Sequence, residues 1–182
     1  RLLFLASGVG GLSRQTQMFS VSASGGLPEP MPVPYSGFGS LSPDGQWLAY
    51  SPYSTDTRTW KRYRGGMATD LWLFNVKDRS SRRFTDWEGT DTIPMWVPGG
   101  DGAAVYYLSD AGPEHRLNIW SFDVKGGTRR QVTTYADNDV RWPSIGPGVA
   151  RPGRPSTGEI VFQLGSQMRV LDLATARDRV VE

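Results

Sequence analysis

Short apolar runs alternate with polar turns along the chain, and one arrangement of these runs occurs twice. The first copy has an apolar run at residues 71–76, a polar turn, and a second run at residues 82–85 that ends in Thr. The other copy has its runs at residues 119–124 and 131–134, so the copies are 119 − 71 = 48 residues apart. A four-stranded propeller blade repeats every 40–50 residues or so. The pattern therefore predicts an all-β protein, a β-propeller built from four-stranded antiparallel blades.

The remaining runs extend this plan over residues 1–182 as a single propeller segment. Approximate blades are predicted at residues 1–35, 36–87, 88–136 and 137–182, and the first of them has no candidate for its innermost strand. The proline-rich end of the first blade can serve only as an edge strand or a loop. No segment sustains a 3.6-residue apolar period over three turns, so a helical fold is disfavoured.

The predicted connections differ in length on the two faces of the propeller. Alternate connections of an up-and-down blade emerge on opposite faces, and one face collects the long connections at residues 55–66, 86–92, 110–116 and 135–139. The other face collects short turns at residues 42–45, 77–80, 99–102 and 125–127. Binding residues are often carried by long loops on a rigid scaffold, so we expect function on the first face.

Composition excludes several chemistries. The chain has no cysteine and a formal net charge of +2, so a thiolate site is excluded and neither nucleic-acid nor membrane binding is indicated. His115 is the only histidine, and it stands in a polar turn where we interpret it as a solvated residue. Residues 137–139, Asp-Asn-Asp, lack the ligand spacing of a calcium loop and are interpreted as a turn. We therefore expect no catalytic residue, no metal and no cofactor in this chain.

Four tryptophans occupy repeat positions and are predicted to lie in the core between blades, not on a stacking surface for bases. They are Trp72, Trp96, Trp120 and Trp142.

Residues 60–66, Trp-Lys-Arg-Tyr-Arg-Gly-Gly, resemble the N-terminal propeller of tricorn protease and its bacterial tricorn-like relatives. Further matching motifs are residues 70–72 (Asp-Leu-Trp), 85–87 (Thr-Asp-Trp), 94–96 (Pro-Met-Trp), 106–110 (Tyr-Tyr-Leu-Ser-Asp), 118–120 (Asn-Ile-Trp) and 142–144 (Trp-Pro-Ser). The resemblance implies the later part of a six-bladed propeller that precedes a PDZ domain and a serine-peptidase domain. The catalytic residues of that family belong to the peptidase domain, so none is expected here. The chain begins directly in a strand-like run, which also leads us to expect a piece of a longer protein.

The candidate residues for peptide binding or for inter-blade contact are Trp60, Arg62, Tyr63, Arg64, Asp91 and Arg141. In the functional interpretation, the two arginines of the 60–66 block bind a peptide carboxylate or acidic side chain through bidentate hydrogen bonds. In the structural interpretation, the block ties blades together, and its arginines pair with Asp86, Glu88 or Asp91. The sequence favours the structural interpretation without excluding the other.

Three functions are compatible with these features. The leading hypothesis is a non-catalytic propeller of a tricorn-like serine peptidase, which guides or filters peptides toward a catalytic domain absent from this chain. Its expected partners are a peptide or protein ligand, the remaining propeller and peptidase domains and, for an open propeller, a second copy of the chain. The alternative is a TolB-like propeller that acts as a protein-binding platform. A propeller enzyme acting on a sugar or ester is disfavoured, because paired carboxylates and a histidine cluster are absent. A cytoplasmic location is expected, with the periplasm as the alternative.

Overall fold

The computed structural model describes residues 1–7, 16–33, 35–54, 61–148 and 157–181. In these residues fifteen strands form four antiparallel sheets, which we call blades 1 to 4 in chain order. None of the described residues belongs to a helix that is long and apolar enough to cross a membrane. The predicted β-propeller fold of antiparallel blades is confirmed.

The strands follow one another within each blade in chain order. Blade 1 contains β1 (Leu2–Ser7), β2 (Thr16–Val21) and β3 (Glu29–Pro30). Blade 2 contains β4 (Gly39–Leu41), β5 (Trp47–Tyr50), β6 (Trp72–Asn75) and β7 (Ser81–Arg83). Blade 3 contains β8 (Asp91–Trp96), β9 (Ala104–Ser109), β10 (Asn118–Asp123) and β11 (Arg129–Gln131). Blade 4 contains β12 (Val140–Gly146), β13 (Glu159–Leu164), β14 (Gln167–Asp172) and β15 (Arg177–Val180).

Blade 1 has three strands in the described residues, in the order β1-β2-β3. Its proline-containing strand β3 pairs only with β2 and so lies at the sheet edge. A proline is tolerated at such an edge because no ladder partner needs its missing N–H group.

Apolar side chains fill the joints between neighbouring blades. The joint between blades 2 and 3 buries Leu71, Leu73 and Phe84 against Tyr107 and Phe122. Similar clusters fill the joints between blades 1 and 2 and between blades 3 and 4. Since each side chain along a strand points to the face opposite its neighbours, a central blade supplies apolar residues to two joints. The blades therefore hold one another in place.

Three of the four repeat tryptophans lie in these joints, and the prediction for the fourth is wrong. Trp96 is buried in the joint between blades 2 and 3, and Trp72 and Trp120 are half-buried against the clusters. Trp142 is 55 % exposed. It lies in β12 at a break in the strand register, where the backbone has left-handed geometry and the side chain no longer follows the alternation of a regular strand.

The outermost strands end earlier than the sequence predicts, because a threonine side chain replaces the next backbone pair. β7 ends at Arg83, and the hydroxyl of Thr85 accepts a hydrogen bond from the N–H of Leu71 at 2.8 Å. In blade 3 the Thr133 hydroxyl likewise accepts the N–H of Ile119 at 2.9 Å. A threonine near the end of each predicted second run, Thr85 in blade 2 and Thr133 in blade 3, thus caps the blade through its side chain.

Strands β4, β8 and β12 are the innermost strands, since they contact one another across the blades. Two of them are interrupted in the same way. The register shifts between Thr92 and Met95 in β8 and between Arg141 and Ser144 in β12. Ile93 and Trp142, at the two shifts, have φ values of 51°, and each precedes a proline. A left-handed backbone is costly for a β-branched or bulky residue, so both positions store strain.

Candidate functional site

The connection between β5 and β6 extends from blade 2 over the loops of the next two blades. Lys61 Nζ lies 3.3 Å from Asp139 Oδ2, at the entry to blade 4. The Nε of Arg62 donates to the carbonyl oxygen of His115 in blade 3 at 3.2 Å. The long loops therefore meet on one face, which we call the long-loop face and define as residues 61–66, 86–90, 110–117 and 132–139.

Arg64 is held by two groups from the connection between blades 2 and 3. Its NH1 atom lies 3.0 Å from Glu88 Oε1, and its guanidinium carbon lies 4.6 Å from the centre of the Trp87 ring. The ion pair is exposed and contributes little stability by itself, while the stacking fixes the plane of the guanidinium. Glu88 is one of the three carboxylates expected as partners of these arginines.

Trp87 is anchored in turn by a buried carboxylate. Its Nε1 donates to Asp110 Oδ1 at 2.6 Å, and the same oxygen accepts the N–H of Thr90 at 2.8 Å. The backbone of Gly89 lies next to this hydrogen bond. A Cβ atom at residue 89 would collide with Asp110 Oδ1 and Trp87 Nε1. The lack of a side chain at residue 89 is what permits this arrangement.

We expect Gly89→Ala to break the Trp87–Asp110 hydrogen bond and to lower the free energy of unfolding by about 1–3 kcal/mol. Chemical denaturation followed by tryptophan fluorescence measures this loss. Gly66→Ala is the matched control, because no atom outside its chain neighbours lies within 4 Å of a Cβ at residue 66. Equal stability of the two variants would contradict the prediction.

Arg62 and His115 meet through two unusual backbone conformations. Their φ values are 55° and 49°, which place both residues in the left-handed region. The Nε of Arg62 is occupied by the His115 carbonyl, whereas its two terminal nitrogens have no acceptor among the described residues. Among the described residues, nothing pairs with the planar end of the guanidinium, which is the end that a bidentate carboxylate binds.

Arg116 has the same arrangement and was missed by sequence reasoning. Its Nε donates to the Ala136 carbonyl oxygen at 3.0 Å, and no described residue accepts from its terminal nitrogens. Two acidic side chains in the neighbouring loops are engaged elsewhere: Glu114 accepts from Gln131 Nε2 at 2.9 Å, and Asp139 pairs with Lys61. The only sequence signal was the position of Arg116 beside the single histidine, in a long loop. His115 itself is exposed in its turn, as predicted.

The other predicted site residues differ in exposure and in the elements that carry them. Tyr63 is 37 % exposed, and its hydroxyl oxygen lies 2.8 Å from the position that a Cβ atom of residue 65 would take. Asp91 is buried at 1 % exposure, and Arg141 lies exposed at the start of the β12 register shift. Trp60 lies outside the described residues. Arg62, Tyr63 and Arg64 thus lie in one loop, and Arg141 lies in β12, two residues after the Asp139 that pairs with Lys61.

The described residues contain no group of three or more His, Cys, Asp or Glu side chains that could hold a metal ion.

The family model of the tricorn protease N-terminal beta propeller domain matches residues 1–177. The chain belongs to this family. The tricorn protease homolog of Saccharolobus solfataricus is 30 % identical over 126 residues, which cover 67 % of this chain and 11 % of that protein. This tricorn-type propeller therefore spans about a ninth of its curated relative.

Solved structures agree on the fold. A structure assigned as TolB from Agrobacterium tumefaciens superimposes with a TM-score of 0.69 at 17 % identity, over 98 % of this chain and 59 % of that one. The crystal structure of the tricorn protease superimposes with a TM-score of 0.53 at 17 % identity, over 93 % of this chain and 20 % of that one. At this level of identity the likeness concerns the propeller architecture alone.

Proposed function

We propose that this tricorn-type propeller is a non-catalytic module that guides or filters peptides toward a catalytic domain outside the chain. The observation that carries the proposal is Arg62. Its Nε is held by the His115 carbonyl, and its terminal nitrogens face no described protein acceptor. Membership of the tricorn propeller family supports peptides as the ligand class and a peptidase domain as the partner.

In this proposal Arg62 and Arg116 bind a free peptide carboxylate or an acidic side chain. Both guanidinium groups are held in place before binding, which lowers the entropy lost when a ligand forms its hydrogen bonds. Arg64 has a different role. Its guanidinium already pairs with Glu88 and stacks on Trp87, so Arg64 supports the loop that carries Arg62.

Arg62→Glu should weaken the binding of short peptides with a free C-terminal carboxylate about tenfold or more, because a charge-assisted pair becomes a repulsive one. Fluorescence anisotropy with labelled peptides measures the affinity, and the same peptides with amidated C-termini serve as ligand controls. Arg64→Glu is the matched protein control. It makes the same charge change two residues away, should lower the melting temperature, and should weaken peptide binding clearly less than Arg62→Glu, because Arg64 supports the loop without contacting the ligand.

Equal affinity for carboxylate and amidated peptides would overturn the assignment of Arg62. Proteolysis of peptides by the purified chain, blocked by a serine-directed reagent, would overturn the non-catalytic role itself.

A protein-binding platform is the second candidate function. The connection between β5 and β6 exposes Tyr53, Tyr63 and Met67 by 37–53 %, and such amphipathic and apolar side chains suit contact with a folded partner or an internal segment. Binding that does not depend on a terminal carboxylate, but falls when Met67 is changed to Ser, would favour this candidate.

A further inference from the structure

A carboxylate occupies an apolar position of the repeat in blade 3. Asp91 begins β8 and pairs in register with Ser109 on β9. At the same place in blade 4, Val140 begins β12 and pairs with Leu164. Both residues are almost fully buried, at 1 % and 0 % exposure. The joint between blades 2 and 3 therefore contains a polar pair where the next joint contains an apolar one.

The surroundings of Asp91 give its carboxyl group no charged partner of its own. The hydroxyls of Thr85 and Ser109 are its nearest polar groups, and Asp70, Arg129 and the ring of Tyr107 act on it electrostatically. Arg129 is already paired with Asp86 at 2.6 Å, and Asp70 with Arg83 at 2.9 Å. The Oδ2 atom of Asp91 has no hydrogen-bond partner among the described residues. A buried carboxylate in this state is costly unless it is protonated.

Burial raises the pKa of Asp91 from its ordinary value of 3.8 to about 7. The hydroxyls of Ser109 and Thr85 oppose the effect of burial, as does the positive charge of Arg129, and the negative charge of Asp70 adds to it. Burial also raises the pKa of the Tyr107 hydroxyl, and Asp91 contributes to that shift. Tyr107 therefore stays neutral in the range where Asp91 titrates.

The backbone of Asp91 is tied to the end of the connection that carries Arg62. Thr69 Oγ1 donates to the Asp91 carbonyl oxygen at 2.7 Å, and the Asp91 N–H donates to the Thr69 carbonyl oxygen at 3.1 Å. Thr69 belongs to blade 2 and Asp91 to blade 3. A change at Asp91 therefore acts on the contact between the two blades next to the long-loop face.

We propose that Asp91 makes the joint between blades 2 and 3 pH-sensitive, closed while its carboxyl group is neutral and loosened when that group ionises. This inference is independent of the proposed peptide binding. The sign follows from proton binding: between pH 3.8 and about 7 the folded chain holds a proton at Asp91 that the unfolded chain has lost. The contribution of Asp91 to the free energy of unfolding therefore falls as the pH rises through that range and is constant at higher pH.

The test compares the melting temperature of the chain and of Asp91→Asn between pH 5 and pH 8.5. The amide has the shape of the carboxyl group and no charge. We expect the variant to melt about 5 °C or more above the unmodified chain at pH 8 and to lose most of the dependence on pH between 5 and 7.5. A pH dependence equal to that of the unmodified chain would overturn the proposal.

Asp70→Asn is the matched control, because the repeat itself has an amide at the corresponding position, Asn118. This variant retains Asp91 and should keep the pH dependence, with its midpoint moved to lower pH. Carboxyl carbon resonances of labelled aspartate give a direct readout, with the Asp91 signal assigned by its absence in Asp91→Asn. A midpoint below about pH 5 for that signal would contradict the inference even if the variants folded poorly.

Hydrogen exchange locates the effect. After correction for intrinsic rates, amides at the joint, such as those of Leu71 and Asp91, should exchange faster at pH 8 than at pH 5.5. Amides of β13 and β14 should change less. Uniform acceleration over all four blades would overturn the assignment to this joint.

Discussion

Replacing Phe122 with alanine is expected to lower the free energy of unfolding by about 3–5 kcal/mol. The ring of Phe122 stacks on that of Phe84, with centroids 4.7 Å apart and planes inclined by 26°. Phe84 also meets Tyr107 edge-on at 5.9 Å. All three side chains are buried in the joint between blades 2 and 3, so truncation leaves a cavity that the two rigid sheets cannot close.

Urea denaturation monitored by circular dichroism measures the loss. Phe122→Leu retains most of the volume and should cost less than about 1.5 kcal/mol. If alanine and leucine were tolerated equally, the joint would not be a packed core, and the interlocking of blades described above would be wrong.

Replacing Thr133 with valine is expected to cost about 2–4 kcal/mol, although the two side chains have nearly the same shape. The hydroxyl accepts from the Ile119 N–H at 2.9 Å and donates to Asn118 Oδ1 at 2.9 Å. Both partners are fully buried and would lose a hydrogen bond that water cannot replace.

Thr133→Ser keeps the hydroxyl and removes one methyl group, so its cost should be below about 1 kcal/mol. Thermal unfolding of the two variants side by side separates the hydrogen bonds from packing. A valine variant as stable as the serine variant would show that the hydroxyl does not cap the blade. Thr85 makes the corresponding contact with Leu71 in blade 2, so Thr85→Val should behave in the same way.

The sequence was most informative where the repeat imposes the same physical requirement on each blade. The spacing of the apolar runs predicted the sheets, and the caps that the structure shows come from threonines within the last two residues of the predicted runs, Thr85 and Thr133. The grouping of the long connections on one face was also predictable, because alternate connections of an antiparallel sheet must emerge on opposite sides. Contacts of Lys61 and Arg62 with two other loops agree with that expectation.

The details of the site were not predictable in the same way, because they depend on which side chains meet across different loops. Arg62 and Arg64 looked equivalent in the sequence, yet Trp87 and Glu88 engage one and a carbonyl oxygen holds the other. Arg116 joined the site through the Ala136 carbonyl, a contact that no pattern of side chains encodes. Asp91 was a candidate partner for the loop arginines in the sequence, whereas its strand register places it buried in the joint.

The register shifts in β8 and β12 affect how these strands can pair on their open side. An innermost strand has a neighbour on one side only, and a regular edge would offer a row of N–H and C=O groups to any extended chain beside it. Pro94 and Pro143 have no N–H to offer, and the adjoining left-handed residues bend the backbone out of register. These two edges therefore resist the addition of a further strand, which protects the open side of the innermost strands from unwanted sheet pairing.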